Sequence, residues 1–193
     1  MERSKLAVIL RDLREFMGEH PLIVAGSQSA HGQVAWVPSI VVTSVEVDVF
    51  MIPGGGLHDS IEEQFGLDSA YHAEHGVYAD PLGAGIVSLP PGWEERLVSL
   101  TSDDGSVSYK ALEIHDTAVT KLMAGRAKDW SFISELLFAG ALDMDRFLTR
   151  ALLMLETVHA GALRPRLEKL AEALRERKMR ALVPPVEKVL REL

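Results

Sequence analysis

Two acidic side chains, Glu46 and Asp48, alternate with three valines, Val45, Val47 and Val49. Alternate side chains of a β-strand point to opposite faces, so this pattern predicts that the valines enter the core and the two carboxylates share the other face. Like charges at this spacing repel each other unless water solvates both or a divalent cation lies between them. The pattern therefore leaves two interpretations open: a metal-binding pair, or two solvated acids on an exposed sheet face.

A Gly-Ser pair, Gly26 and Ser27, follows the short apolar run at residues 22–25. The run predicts a buried strand that feeds a turn. A strand that ends in this way and turns into a helix exposes main-chain N–H groups and a hydroxyl, which can bind a phosphate. A plain turn with Ser27 as the helix N-cap is the alternative.

A Gly-Ser turn after a first strand, followed by a hydrophobic strand that bears acid-x-acid, resembles the signature of the polymerase-beta-like nucleotidyltransferase superfamily. In that family the Gly-Ser pair grips a triphosphate, and the paired acids hold the metal that activates nucleotidyl transfer. The resemblance implies that Gly26 and Ser27 bind the phosphates of an NTP and that Glu46 and Asp48 hold Mg²⁺ or Mn²⁺. Glu46 stands where the superfamily usually has Asp.

Residues 112–129 resemble the region that follows the core in a bacterial group of nucleotidyltransferase-like proteins. That group includes the toxins of type IV toxin–antitoxin systems. The resemblance implies that Glu113 is a third metal-binding acid, and we expect it to deprotonate the acceptor hydroxyl. It further implies that Lys121, Arg126 and Lys128 are cations near the nucleotide phosphates.

The positions of these three cations fit the implied role, because cations that face metal-bound acids balance the charge that develops in phosphate chemistry. Lys121 and Arg126 are five positions apart, about 140° around a helix, so they share a face only if the helix ends near Gly125. Solvated cations near a helix terminus, where the helix dipole favours them, are the alternative.

The segments that must position these residues change character along the chain. Apolar spacing predicts an amphipathic helix over residues 6–17, and residues 71–85 are expected to form a loop with one short strand. Besides residues 22–25 and 45–50, strands are predicted at residues 40–43, 86–89, 96–100 and 109–114. Four helices are predicted after Asp116. We therefore expect an α/β (α+β) fold, with a small mixed sheet flanked by helices as residues 1–115 and a C-terminal helical bundle as residues 116–193.

The composition excludes several classes of protein. The chain has 193 residues, no cysteine and a formal charge of −8, which excludes a disulfide framework and a thiolate metal site. No segment approaches the length of a membrane span, so we expect a cytoplasmic protein with no membrane partner. Residues 164–193 carry net +4. Leucines at positions 163, 167, 170 and 174 form a stripe on this segment, which we expect to be helix–helix core or a face for an antitoxin or a second copy.

These features predict a metal-dependent nucleotidyltransferase. It would move a nucleotidyl group from an NTP to a protein or RNA acceptor. The resemblance further implies a toxin–antitoxin component. The alternative is a catalytically inactive module that keeps the fold for binding a nucleotide or a partner.

Overall fold

A five-stranded mixed sheet forms the centre of the N-terminal part of the chain. The computed structural model describes residues 1–51, 56–83 and 87–193. The strands are β1 (Ile23–Val24), β2 (Glu46–Phe50), β3 (Tyr78–Leu82), β4 (Val98–Thr101) and β5 (Ser108–Ala111). Their order is β3-β2-β1-β5-β4. β1 is antiparallel to β2 and parallel to β5, whereas β2 and β3 are parallel and β4 and β5 are antiparallel.

Helix α1 (Arg3–Met17) covers one face of this sheet. Its apolar positions recur every three or four residues, so that one side of the helix is apolar. Leu10 and Leu13 are fully buried in one cluster with Val24 and Val49 of the sheet. Burial of this kind contributes about 1.5–3 kcal/mol for each large aliphatic side chain. The predicted N-terminal helix is confirmed.

Three shorter helices accompany the sheet, α2 (Ser39–Thr43), α3 (His58–Phe65) and α4 (Ala70–His75). The strand predicted at residues 40–43 is wrong, because these residues form α2. The amides of Val41 and Val42 both donate to the Pro38 carbonyl, at 2.9 and 3.4 Å. One helical turn thus satisfies main-chain groups of a β-branched run whose composition is typical of a strand.

Residues 71–85 contain more regular structure than the expected loop, namely most of α4 and the whole of β3. Pro81 lies within β3 and is tolerated there because β3 is at the edge of the sheet. Residues 84 and 85 lie outside the described residues, as does residue 86 of the strand predicted at residues 86–89. Residues 87–89 are described and are not in a strand.

The C-terminal part of the chain is helical. Its helices are α5 (Ile114–Ala124), α6 (Ala127–Phe138), α7 (Met144–Leu152), α8 (Ala160–Glu176) and α9 (Val183–Glu192). Asp143 caps α7 as predicted, since its side chain accepts from the Arg146 amide. Helix α8 begins five residues before Pro165, the residue predicted to open it. Helix α5 contacts α6, α7 and α8, and nearly all of its side chains are buried.

The chain divides into two compact units. The α/β unit comprises Met1–Val87 and Arg96–Glu113, and the helical unit comprises Ser88–Glu95 and Ile114–Leu193. A small mixed sheet with flanking helices and a set of C-terminal helices is the fold class that the sequence predicts, and this prediction is confirmed. In the described part of the chain, no helix combines the length and the apolar composition that crossing a membrane requires.

The predicted leucine stripe lies inside the helical unit. Leu163, Leu167, Leu170 and Leu174 are each 0% exposed. Their packing within this unit confirms the helix–helix core interpretation. A partner of the C-terminal helices would therefore have to bind other side chains than these leucines.

Candidate functional site

The acidic pair lies on β2 as the alternation predicts. Val47 and Val49 are fully buried, whereas Glu46 and Asp48 are partly exposed on the other face. Val45 is the exception, since it precedes the strand and its side chain is 46% exposed. The expectation that Val45 points into the core is therefore wrong.

Asp48 packs directly against Gly26. The two segments are joined because the Ala25 amide donates to the Asp48 carbonyl at 2.8 Å. Gly26 has a φ of +57°, and a Cβ atom at this position would overlap the Oδ2 and Cγ atoms of Asp48. Only glycine both adopts this φ without strain and leaves room for the carboxylate. The structure thus brings the predicted turn and the predicted acid into contact.

The turn after Gly26 is held by hydrogen bonds from side chains to the main chain. The Ser29 hydroxyl donates to the Gly26 carbonyl at 2.8 Å. The Gln33 amide donates to the Ser29 carbonyl at 2.6 Å and to the Leu112 carbonyl at 2.9 Å. These bonds tie the turn to the segment that follows β5.

The element that begins at Ser27 is a single 3-10 turn of four residues, Ser27–Ala30. Ser27 is 7% exposed. An element this short has little dipole of its own, since the dipole of a helix sums over its aligned peptide units. What the turn can offer a phosphate is therefore its main-chain N–H groups and the remaining accessible surface of Ser27.

A third acid, Asp80, lies directly opposite Asp48. The parallel register of β2 and β3 pairs Asp48 with Asp80 and Glu46 with Tyr78. Paired residues of neighbouring strands point to the same face, and the strands lie about 4.8 Å apart. Three carboxylates and one phenol therefore share one patch of the sheet. Neither Asp80 nor Tyr78 was predicted to lie beside the acidic pair, because the register between β2 and β3 places them there.

Tyr78 is hydrogen-bonded to Glu46 of the acidic pair. Its hydroxyl donates to Oε2 of Glu46 at 3.1 Å. Burial, followed by the charge of Glu46 and this hydrogen bond, raises the pKa of Tyr78 to about 12, with smaller contributions from Asp80 and Asp48. The phenol therefore remains protonated at neutral pH and can donate its hydrogen bond to Glu46.

Glu113, the predicted third acid, immediately follows β5 and precedes α5. The amide of Leu112 donates to the Val24 carbonyl at 2.9 Å, so Glu113 follows β5 at the end of β1 that leads into Gly26. β1 separates β5 from β2, whereas β3 is the direct neighbour of β2. By strand position, Asp80 is thus closer than Glu113 to the acidic pair.

The three predicted cations belong to the helical unit. Lys121 is buried, with Nζ 3.5 Å from Oδ1 of Asp129 and 4.9 Å from the centre of the Phe132 ring. Arg126 donates through Nε to Oδ2 of Asp129 at 2.8 Å, and Lys128 is exposed. Asp129 thus organises two of the three cations where α5 ends and α6 begins.

Asp129 itself is fully buried. Burial disfavours its carboxylate, but hydrogen bonds from Arg126 and the charge of Lys121 outweigh this cost and lower the pKa of Asp129. The Arg126 amide also donates to this carboxylate, at 3.0 Å, which caps the start of α6. The contacts of Asp129 with Lys121 and Arg126 therefore have a structural role inside the helical unit.

The acids on the sheet offer oxygen ligands of the kind that a divalent cation requires. Among the described residues, no three or more His, Asp or Glu side chains are gathered so as to hold a metal ion by themselves. Mg²⁺ is usually bound through one or two carboxylates and is completed by water and substrate phosphates. Asp48 presents such a carboxylate beside the turn. This carboxylate occupies the space that a Cβ atom at residue 26 would fill. Glu46 and Asp48 therefore fit a cation that shares its coordination with a bound phosphate.

Comparison with known proteins gives one family. A family model described as "Nucleotidyltransferase of unknown function (DUF6036)" matches residues 5–175. The matched segment includes all the candidate residues from Gly26 to Lys128. No curated protein and no solved structure gives a match. The family match agrees with the resemblance at the level of the reaction class and carries no link to toxin–antitoxin systems.

Proposed function

Because the chain belongs to this nucleotidyltransferase family of unknown function, we propose that it moves a nucleotidyl group from an NTP to a hydroxyl group on a protein or RNA acceptor. The observation that carries the proposal is the contact between the Asp48 carboxylate and Gly26. This contact joins an acid suited to a metal with a turn suited to a phosphate. Those are the two binding functions that transfer from a triphosphate requires.

Glu46 and Asp48 would hold Mg²⁺ or Mn²⁺, and Asp80, in register with Asp48 on β3, is the nearest further carboxylate by strand position. When bound, the metal neutralises charge on the phosphates and favours ionisation of the acceptor hydroxyl. Fixed carboxylates on a sheet suit this purpose because they need no rearrangement as charge develops.

The remaining residues bind and orient the reactants. Gly26 and Ser27 contact the β- and γ-phosphates, and Glu113 takes the proton of the acceptor hydroxyl. The acceptor oxygen then bonds to the α-phosphorus, and the bond from the α-phosphorus to the leaving oxygen breaks to release pyrophosphate. Negative charge moves onto the pyrophosphate, where cations can neutralise it.

The cations of the helical unit have different parts in this proposal. The resemblance gives Arg126 and Lys128 a part in phosphate binding, and both side chains are exposed. Lys121 pairs with Asp129 in the helical unit, so its contribution to phosphate binding would require this ion pair to rearrange. By its resemblance to the group that includes type IV toxins, the protein would be a toxin–antitoxin component, either a toxin or a relative of one.

The substitution D48N tests the metal and phosphate roles together. It removes one charged oxygen ligand and keeps the side-chain volume, so binding of Mn²⁺ and of NTP in the presence of Mn²⁺ should weaken by about tenfold or more. Calorimetry with each of the four NTPs measures both. D59N is the matched control, because Asp59 is an exposed acid in the first turn of α3.

Loss of binding in D48N but not in D59N supports the proposal. Equal binding of Mn²⁺ by the wild type and D48N contradicts the metal role. Metal-dependent NTP binding without transfer to any acceptor would favour the alternative, a nucleotide-binding module without catalysis.

A further inference from the structure

The side chain of Glu46 is longer than that of Asp48, the other member of the acidic pair, and has one more rotatable bond. A longer carboxylate samples more rotamers, and fixing it in one geometry costs more conformational entropy. A metal ligand must be held in a defined orientation, and hydrogen bonds from neighbouring groups commonly do this. A carboxylate at position 46 that binds a metal therefore needs a group that holds it in place.

Tyr78 is in the right position to hold Glu46. The β2–β3 register places it directly opposite Glu46 on the same face of the sheet. Its hydroxyl donates to Oε2 at 3.1 Å. An ionised carboxylate has about four lone-pair sites, so this hydrogen bond does not by itself prevent the carboxylate from binding a cation.

Tyr78 is itself held by α4. The His72 and Tyr78 rings pack edge to face, with their centres 5.2 Å apart and their planes at 67°. His72 is fixed in turn, since the Asp68 amide donates to its Nδ1 at 3.2 Å. A chain of contacts thus runs from the turn before α4, through two rings, to the Glu46 carboxylate.

We propose that Tyr78 is a positioning residue that orients Glu46 for binding the divalent cation, and that this hydrogen bond is what allows this chain to use Glu at position 46. The inference rests on the proposed function, because it assumes that Glu46 binds a metal. It assigns to β3 and α4 a part in the site that neither the acid pair nor the family match indicates.

The substitution Y78F tests this inference, because it removes only the hydroxyl. Mn²⁺ affinity, measured from the free-ion signal in electron paramagnetic resonance, should fall by about tenfold or more, as it does when groups that orient metal ligands are lost. Y71F is the matched control: the Tyr71 hydroxyl also donates to a carboxylate, Oδ2 of Asp12 at 2.8 Å, on a different helix. It should leave Mn²⁺ affinity unchanged.

A double-mutant cycle distinguishes orientation from a general effect of the phenol. E46D shortens the carboxylate by one methylene and withdraws it from Tyr78, so the Mn²⁺ affinity of E46D should not depend on the phenol. In the E46D background, Y78F should change the affinity by less than about twofold, because the two substitutions break the same contact. Equal effects of Y78F in both backgrounds would overturn the positioning role.

The remaining outcomes separate the inference from the proposed function. If D48N abolishes Mn²⁺ binding and Y78F binds like the wild type, the inference is wrong and the proposed function stands. If Mn²⁺ binding does not depend on Asp48, both fail. If Y78F loses its cooperative thermal transition, H72A takes its place, because it removes the ring that packs against Tyr78. An Mn²⁺ affinity of H72A equal to that of the wild type then overturns the inference.

Discussion

Gly26 is the residue on which the geometry of the site depends most directly. Its Cα atom faces the Asp48 carboxylate, and its φ of +57° is in the region that favours glycine. Any side chain there would meet two separate costs, backbone strain and displacement of Asp48. The second cost bears on function, because it would move a proposed metal ligand.

The substitution G26A should lower both the stability of the protein and its affinity for Mn²⁺. Strain at positive φ costs about 1–3 kcal/mol, and displacement of Asp48 should weaken Mn²⁺ binding by about tenfold or more. Thermal denaturation and Mn²⁺ titration measure the two effects. G18A is the matched control: Gly18 has a φ of +56°, and a Cβ there would meet no atom within 4 Å.

G18A should therefore lose stability and keep its Mn²⁺ affinity. If G26A and G18A have the same Mn²⁺ affinity, then the contact between residue 26 and Asp48 does not matter for the metal.

The residues of the candidate site could be predicted to different extents. Gly26 and Ser27 have a local signal because they follow a short apolar run, and Glu46 and Asp48 have one because they alternate with valines. Asp80 and Tyr78 depend on the register between β2 and β3, which the sequence does not specify across the intervening residues. The contact between Gly26 and Asp48 also required the structure, because it joins two segments that are separated along the chain.

At the scale of elements, local sequence patterns predicted the wrong secondary structure where tertiary contacts outweigh local preference. Residues 40–43 have the β-branched composition of a strand, yet they form α2, and the Val41 carbonyl accepts from the buried Gln28 side chain at 3.1 Å. The strand predicted at residues 109–114 ends at Ala111, because Ile114 already belongs to α5. By contrast, α1 and β2 were predictable since each has a long, regular apolar pattern.

The junction between α5 and α6 depends on one buried acid. Asp129 binds Lys121 and Arg126 and caps α6. D129N should lower the free energy of unfolding of the helical unit by about 3 kcal/mol, the usual cost of leaving a buried charge without its partner. Urea denaturation followed by circular dichroism measures this, with the exposed Asp145→Asn as the control.

The loss of stability caused by D129N should depend on pH. Because the folded protein lowers the pKa of Asp129, its stabilising contribution is present above the ordinary aspartate pKa of about 3.9. The contribution is lost as the pH falls through the lowered pKa of the folded state. The difference in stability between the wild type and D129N should therefore be constant near neutral pH and shrink below about pH 4. A difference that grows in acid would contradict the ion-pair assignment.

At the scale of the whole molecule, the charge distribution bears on the acceptor. The chain carries −8 overall, whereas residues 164–193 carry net +4. Part of this positive charge is paired locally, as in the contacts of Lys169 with Glu172 and Arg175 with Glu187. An RNA acceptor would have to bind against the negative charge of the rest of the chain, and its affinity would therefore depend on salt.

The most direct test of the proposed function follows the label from a nucleotide. The protein is incubated with Mg²⁺, total bacterial RNA and a soluble protein extract, together with NTPs radiolabelled at either the α- or the γ-phosphorus. Nucleotidyl transfer predicts that α-label alone enters a macromolecule, because the γ-phosphorus leaves in pyrophosphate, and that D48N and removal of Mg²⁺ abolish it. Entry of the γ-label, or α-labelling of equal strength with D48N, would contradict nucleotidyl transfer at this site.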